Sequence, residues 1–246
     1  MAQTEKVETD YKHLLLGLMH DLRRLGGILQ LHIHVLKTSV PKDSDLREMI
    51  DAVQDTADSV KARLDAVDAT VNPDRFMMQD SAPRSVHKDF QKQARVMRER
   101  AKEKNVEIKF SGKTDAMVSG YSIFPLLPYL LLENAVKYSP SSHQVRIDYS
   151  FDPAQQNLRI AVSSVGPCLL PDEVEKIFVD GFRGKNASEA VANGEGMGLK
   201  MALAIAQLHG GEIMVACGEA KTNISLVPYG EFKATVSLPV MVGCGD

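Results

Sequence analysis

Three glycines alternate with other residues at Gly194, Gly196 and Gly198, directly before a helical pattern of apolar residues that begins at Leu199. Glycine lets the backbone approach a ligand closely, and the first N–H groups of a helix have no partner within that helix. These N–H groups and the positive end of the helix dipole suit a phosphate group. Tightly packed turns show the same pattern, so both interpretations stay open on these residues alone.

Asn134 and Lys137 form a second candidate site near the end of another apolar, helical stretch. Residues three apart share a helix face, so the two side chains are predicted to lie together, with Tyr138 following directly. An amide oxygen can ligate Mg²⁺ and a lysine can contact a phosphate. A lysine near a helix C-terminus also needs no ligand, because it stabilises the helix end by itself.

His20 is the third candidate, because Asp21 follows it directly. A neutral imidazole is a nucleophile, and an adjacent carboxylate can hold the other ring N–H and stabilise the positive charge that develops during attack. A histidine on a helix is more often a half-exposed polar residue, and we interpret His13, His32 and His34 in that way. His20 differs from them in its acidic neighbour and in the two arginines that follow.

Two apolar seams predict the elements that carry His20. The first follows alternating steps of four and three residues, at Tyr11, Leu15, Leu18, Leu22, Leu25, Leu29, His32 and Leu36. The second comes after a breaker at 39–43, at Leu46, Met49, Val53, Ala57, Val60, Leu64 and Val67. The pattern predicts an antiparallel helical hairpin. Two helices cannot close a core alone, so we expect a homodimer with a four-helix bundle, the alternative being a hairpin packed on its own chain.

The rest of the chain predicts an α+β sandwich, with helices on one face of a mixed sheet. The predicted elements are helices at 86–104, 123–138 and after the glycines, and strands at 106–110, 144–151, 158–163, 212–216, 223–227 and 232–238. Strands grouped apart from helices favour this class. The glycine loop does not follow a first strand, which excludes a Rossmann domain. We therefore divide the chain into a hairpin at 1–72, a linker at 73–84 and a second domain at 85–246.

Composition narrows the functional classes. The chain has 246 residues, 44% of them hydrophobic, which is enough for a sizeable core. A net charge of −3 argues against a nucleic-acid partner. No apolar run is long enough for a membrane span, and the polar N-terminus does not resemble a signal peptide, so we expect a cytoplasmic protein. The three cysteines, Cys168, Cys217 and Cys244, are distant in sequence and odd in number, which favours reduced thiols.

These stretches resemble the conserved boxes of two-component sensor histidine kinases. In chain order they are His20-Asp21-Leu22-Arg23 (H-box), residues 130–140 (N-box), 162–173 (first glycine box), 177–183 (phenylalanine box) and the loop of Gly194, Gly196 and Gly198 (second glycine box). The resemblance implies a dimeric phosphoacceptor hairpin and a Bergerat-type ATP-binding domain, as in the histidine kinase, gyrase and Hsp90 ATPases. It departs from the family at Ser164, where an adenine-binding aspartate is usual, at Cys168 in place of a second glycine, and at Leu130 in place of a polar residue.

The resemblance also implies a role for each candidate residue. His20 would accept the phosphoryl group and Asp21 would act as base or orienting partner. The cofactor-binding set comprises Asn134 as the Mg²⁺ ligand, Lys137 on phosphate, Tyr138, Ser164 and Gly166 around the nucleotide, and Gly194, Gly196, Gly198 and Leu199 at the phosphate loop and its helix.

Two functions follow, and a third is weaker. The first is a histidine kinase core that autophosphorylates His20 from Mg-ATP and passes the phosphoryl group to an aspartate of a response regulator receiver domain. The alternative is a non-catalytic histidine phosphotransfer protein with a degenerate ATP pocket, favoured by Ser164. A protein-serine kinase that regulates a sigma factor would share the ATP fold but would not need His20. The input signal would come from a separate sensor protein, or the chain would be a fragment of a longer one.

Overall fold

The computed structural model describes residues 2–41, 44–71, 80–192, 194 and 196–241. The chain divides into two compact units, Met1–Gln79 and Asp80–Asp246. Among the described residues, no helix has both the length and the apolar character that a bilayer crossing requires.

The first unit is the predicted helical hairpin, formed by α1 (Ala2–Ser39) and α2 (Asp45–Val71). The two helices run antiparallel. Residues near the end of α1 pair with residues near the start of α2, and residues earlier in α1 pair with residues later in α2. Lys37 Nζ lies 2.7 Å from Asp51 Oδ1. Gln30 Nε2 donates to Asp58 Oδ1 at 2.6 Å. The hairpin prediction is confirmed; α1 extends beyond its predicted limits, whereas α2 ends close to the predicted position.

The interior of the hairpin uses residues beside the predicted seams. Met19 and Ile33 of α1 are only 3% and 1% exposed, with Gly26 half-buried midway between them. One seam residue, Ala57 of α2, is also buried. Most of the others are exposed in this single chain: Leu18, Leu22, Leu25, Leu29 and Leu36 of α1 and Leu46, Met49, Val53 and Val60 of α2. Both helices therefore carry an apolar stripe that the hairpin itself does not cover.

The second unit is built on a mixed sheet. Its strands are β2 (Glu107–Ser111), β4 (Gln144–Asp152), β5 (Asn157–Pro167), β6 (Glu212–Ile224) and β7 (Val227–Pro239). Their order across the sheet is β2-β4-β5-β7-β6. The β2 and β4 strands are parallel, and the other neighbours are antiparallel. A separate antiparallel pair joins β1 (Ala82–Ser85) to β3 (Met117–Gly120).

Helices cover one face of this sheet. They are α3 (Val86–Val96), α4 (Arg98–Glu103), α5 (Leu126–Tyr138), α6 (Lys185–Ala190) and α7 (Gly198–Leu208), with short 3₁₀ turns at Pro171–Glu173 and Lys176–Phe178. The α5 helix packs against α3, α7 and β5. Along β5, Leu158 and Ile160 are buried whereas Arg159 between them is exposed, as expected for a sheet with one covered face. The predicted α+β sandwich is confirmed.

Three local predictions were wrong. The helix predicted at 86–104 is interrupted at Met97, which separates α3 from α4. Three closing strands were predicted, but the structure has two long ones, β6 and β7. Strand β6 continues past Cys217, with two register shifts against β7. Strands β1 and β3 were missed, since each has four residues, too few to show a periodic pattern, and β1 lies in the stretch assigned to the linker.

Candidate functional site

The C-terminal end of α5 carries Asn134, Lys137 and Tyr138, all half-buried. Ser139 leaves the helix in an extended conformation, as expected for a residue before a proline, here Pro140. Lys104 of the loop after α4 caps this end: its Nζ donates to the carbonyl oxygens of Val136 at 2.9 Å and Lys137 at 2.7 Å. Burial lowers the pKa of the Lys104 amino group, and the nearby Arg100 charge adds to this effect.

Lys137 meets the first glycine of the glycine loop. Its Nζ lies 2.6 Å from the point where a Cβ on Gly194 would be, and the Arg183 guanidinium lies 3.2 Å from the same point. Any side chain at this position would displace the lysine. Two cationic groups therefore lie beside the exposed Gly194, and this combination has the chemistry of an anion site.

Arg183 also organises the segment around α6. Its guanidinium donates to the carbonyl oxygens of Ala187 and Ala192, each at 3.2 Å, and to that of Val191. Arg183 is the last residue of the predicted phenylalanine box, and its sequence position alone indicates no individual role. In the structure Arg183 lies beside Gly194, and its hydrogen bonds to Val191 and Ala192 hold the backbone that leads into the glycine loop.

Tyr138 meets the other glycine box. Its Cβ is 3.8 Å from the point where a Cβ on Gly166 would lie. The Lys137 ammonium is 5.4 Å from the centre of the Tyr138 ring, within cation–π distance. Two consecutive residues at the end of α5 thus contact both glycine boxes. Ser164 lies on the same helix-facing side of β5 as Gly166 and is buried.

The remaining glycines differ in what they do. Gly196 has a φ of +71°, and a Cβ there would lie 2.5 Å from the carbonyl oxygen of Phe182, so only glycine fits. A Cβ on Gly198 would meet nothing within 4 Å. Gly198 and the half-buried Leu199 begin α7, whose N-terminus has no side-chain cap at Met197. Its first N–H groups are therefore available to an anion.

Glu173 and Asn186 tie the long segment between β5 and α6 to its surroundings. The buried Glu173 carboxylate accepts hydrogen bonds from the N–H groups of Leu170 at 2.9 Å and Lys185 at 2.7 Å. The buried Asn186 amide donates to the carbonyl oxygen of Cys168 at 2.7 Å. No sequence signal pointed to these contacts or to Lys104, because each joins residues that are distant along the chain or lie in an irregular segment.

His20 and Asp21 belong to the first unit. The His20 side chain is 80% exposed, and its Nδ1 lies 3.6 Å from Asp21 Oδ1. This distance is too long for a hydrogen bond, although the two groups are close enough to interact electrostatically. The imidazole is thus accessible, with Nδ1 towards the carboxylate and Nε2 left for another group.

Comparisons with known proteins agree with this architecture. Residues 129–240 match the family described as histidine kinase-, DNA gyrase B- and HSP90-like ATPase. Histidine protein kinase SaeS of Staphylococcus aureus is 25% identical over 224 residues, which cover 88% of this chain and 62% of that protein. The chain thus spans about 62% of the length of this curated relative.

Solved structures show the same fold. Full-length ShkA in complex with AMPPNP is similar with a TM-score of 0.55 and 20% identity, covering 95% of this chain and 47% of ShkA. The mycobacterial sensor histidine kinase MprB has a TM-score of 0.53 and 20% identity, covering 65% of this chain and 100% of that one.

The fold and the glycine-box residues are similar to those of an ATPase domain of the histidine kinase-, DNA gyrase B- and HSP90-like type, over residues 129–240. The resemblance to the catalytic core of two-component histidine kinases is confirmed by these comparisons.

Proposed function

We propose that this chain is a histidine kinase core that transfers the γ-phosphoryl group of Mg-ATP to His20 and then to an aspartate of a response regulator receiver domain. The observation that carries the proposal is the pair of cations around Gly194, supplied by Lys137 and Arg183. A relay protein that never binds nucleotide has no use for such a phosphate site. The ATPase family match and the likeness to SaeS support the same function.

The proposed nucleotide site assigns one task to each group. Lys137, Arg183 and the N–H groups that begin α7 at Gly198 and Leu199 neutralise the phosphates, with Gly194 and Gly196 bringing the loop backbone close. The Asn134 amide oxygen, on the same helix face as Lys137, would hold Mg²⁺, which would supply positive charge beside the phosphates. Bound Mg-ATP supplies the phosphoryl group.

At the adenine end of this site, we propose that Tyr138, Ser164 and Gly166 border the base. Tyr138 and Gly166 are already in contact, and Ser164 shares their side of the sheet. The Ser164 hydroxyl would hydrogen-bond to the base, directly or through water.

His20 is the proposed nucleophile. With Nδ1–H directed to Asp21, the free electron pair of Nε2 points away from the carboxylate and attacks phosphorus. The Asp21 carboxylate stabilises the imidazolium charge as the bond forms. The exposure of the ring supports this role, because both the donor domain and a receiver domain must reach it.

The proposed assembly is a homodimer. The uncovered apolar stripes of α1 and α2 are what a four-helix bundle formed with a second copy would bury. In this arrangement the hairpin, predicted at 1–72, would serve for dimerisation and as phosphoacceptor, and the second unit, which begins at Asp80 and includes β1, as the catalytic domain. The signal would reach it from a separate sensor protein or from further parts of a longer protein.

One observation favours the second candidate, a histidine phosphotransfer protein. Ser164 provides a neutral hydroxyl where a carboxylate would bind the adenine amino group, and Leu130 is a buried apolar residue. Replacing a charge-assisted hydrogen bond with a neutral one costs roughly 1–3 kcal/mol, or about 5- to 150-fold in affinity.

The deciding experiment is incubation of the purified protein with γ-labelled ATP and Mg²⁺. The kinase proposal expects acid-labile, base-stable label that is lost in His20→Ala and retained in His34→Ala, another exposed histidine on α1. Absence of label, together with label acquired from a phosphorylated receiver, would instead establish the relay. Ser164→Asp tests the adenine end of the site. Adenine-nucleotide affinity should rise by about 5- to 150-fold, and the absence of a rise would refute our account of this position.

A further inference from the structure

Two thiols that are distant in sequence meet beside the first glycine box. Cys168 directly follows β5, and Cys217 lies in β6. Both Sγ atoms lie near one peptide oxygen, that of Gly218, at 3.8 Å from Cys168 and 3.6 Å from Cys217. The N–H of Leu169 donates to Cys217 Sγ at 3.4 Å. Both residues are half-buried free thiols, so small oxidants can reach them.

The middle strand permits this approach. Strand β7 lies between β5 and β6, and two strands separated by a third are usually too far apart for side chains to meet. At Gly230 of β7, however, a Cβ would lie 2.9 Å from Cys168 Sγ, so glycine leaves room for the sulfur. The register of β6 also shifts against β7 directly after Cys217. Burial and the neighbouring Cys217 thiol raise the pKa of the Cys168 thiol.

We propose that Cys168 and Cys217 form a reversible disulfide when the protein meets a hydroperoxide. One thiol gives up its electron pair to the peroxide and becomes a sulfenic acid, while the peroxide is reduced to water or an alcohol. The second thiol attacks this sulfur, an S–S bond forms, and the hydroxyl leaves with the remaining thiol proton as water. Because Cys168 carries a raised thiol pKa, we expect a slow reaction.

Closing the bond alters the segment that precedes α6. The sulfurs must approach to about 2.05 Å, which removes both thiol contacts with Gly218 O. Cys168 also supplies the carbonyl oxygen that holds Asn186 of α6 and lies two residues after Gly166. We expect the movement of Cys168 to weaken this hydrogen bond, which is one of several that hold α6, and to lower nucleotide affinity by up to about tenfold. This consequence rests on the proposed function, whereas the disulfide itself does not.

The test uses the full chain carrying Cys244→Ser, so that only the two thiols in question can react. After hydrogen peroxide treatment and alkylation, we expect loss of two hydrogen atoms in intact mass, a peptide pair linking residues 168 and 217, and full reversal by dithiothreitol. Cys168→Ser and Cys217→Ser should each abolish the linked peptide. Oxidation that yields only sulfinic acids or bonds between molecules overturns the proposal.

Hydrogen exchange separates this proposal from the nucleotide function. Peptides within residues 168–190 should exchange faster in the oxidised protein and return to their original rate after reduction. A linked peptide without any change in exchange refutes the coupling to α6. If the reduced protein binds no nucleotide, the proposed function fails, while the linked peptide and the exchange rates still decide the thiol proposal.

Discussion

Lys104 Nζ and the carbonyl oxygen of Lys137 are joined by a hydrogen bond of 2.7 Å, and the same amino group reaches the carbonyl of Val136 at 2.9 Å. Helix α5 ends at this point, so a cation here satisfies terminal carbonyl groups that have no partner in the helix. The contact fixes the backbone from which the Lys137 and Tyr138 side chains extend to the two glycine boxes. Lys104 is thus a positioning residue for the proposed site.

Lys104→Met should destabilise the second unit by about 1–2 kcal/mol, since it removes two hydrogen bonds from a partly exposed charged donor. It should also lower ATP affinity a few-fold, because Lys137 loses its fixed backbone. Urea unfolding followed by circular dichroism, together with nucleotide titration, measures both effects. Lys102→Met, an exposed lysine on α4, is the matched control, and equal effects in the two variants would contradict this role.

Alanine substitutions at the three loop glycines should give three different results. In Gly194→Ala the new methyl group meets the end of the flexible Lys137 side chain, so the fold should persist while ATP affinity falls by about tenfold through loss of one charged contact. In Gly196→Ala the methyl group meets backbone at Phe182 and the φ is +71°, so stability should fall by about 1–3 kcal/mol.

Gly198→Ala serves as the control in this series. Its methyl group enters open space at the first residue of α7, so stability should stay the same or rise by up to about 1 kcal/mol from helix propensity. Thermal unfolding and nucleotide titration of the three variants test the pattern. Similar stabilities of Gly196→Ala and Gly198→Ala, or an unchanged ATP affinity of Gly194→Ala, would contradict the contacts described for the loop.

Sequence periodicity was sufficient for the large elements. The two helices of the hairpin and the sheet strands β4 and β5 have apolar repeats over much of their length, and elements of the predicted type are found at these positions. The β6 strand shows the opposite case. Its part beyond Cys217 is polar and exposed, and its pairing with β7 depends on register shifts that no local pattern encodes.

The candidate site shows the same division. The residue types at Lys137, Gly166 and Gly194 were evident because phosphate chemistry and family resemblance restrict them. Lys104, Glu173 and Asn186 were missed, because their function is to hold the backbone of other segments, and such partners are set only by the fold. The neighbourhood of Cys168 and Cys217 was also missed, since their distance in sequence suggested unrelated thiols.

The exposed seam of α1 predicts how the proposed dimer can be broken. Leu25 and Leu29 are 54% and 44% exposed in the single chain, and burial of each leucine stabilises an interface by about 1.5–3 kcal/mol. A twofold dimer carries every substitution twice, so Leu25→Glu with Leu29→Glu should weaken dimerisation by at least about 100-fold. Sedimentation velocity over a concentration series measures this change.

Leu31→Glu is the matched control for that prediction. Leu31 is 61% exposed but lies on another face of α1, away from the seam. This variant should remain dimeric. A monomeric wild-type protein, or equal dissociation of the seam and control variants, would show that the apolar stripe has another purpose.

His209 should make the stability of the second unit depend on pH. The ring is buried beside Tyr121 and Phe124, with Nδ1 2.6 Å from the carbonyl oxygen of Ile205. Nε2 accepts from the N–H of Tyr121 at 3.1 Å, so only the neutral Nδ1–H tautomer satisfies both contacts. Burial lowers the pKa of His209 from 6.5, and the Arg84 charge acts in the same direction, although the Ile205 hydrogen bond opposes them.

Because the folded-state pKa of His209 lies below its unfolded value, the unfolded state binds more protons between the two values. The stability that His209 contributes is therefore complete above pH 6.5 and is lost as the pH falls through the lowered folded pKa. Urea unfolding between pH 5 and 8 should show wild type and His209→Gln converging towards acid pH. When the pH falls below the lowered pKa of His209 in the folded protein, the amide resonance of Tyr121 should shift, because protonation at Nε2 removes its acceptor. A stability difference that stays constant from pH 8 to pH 5 would disprove this account.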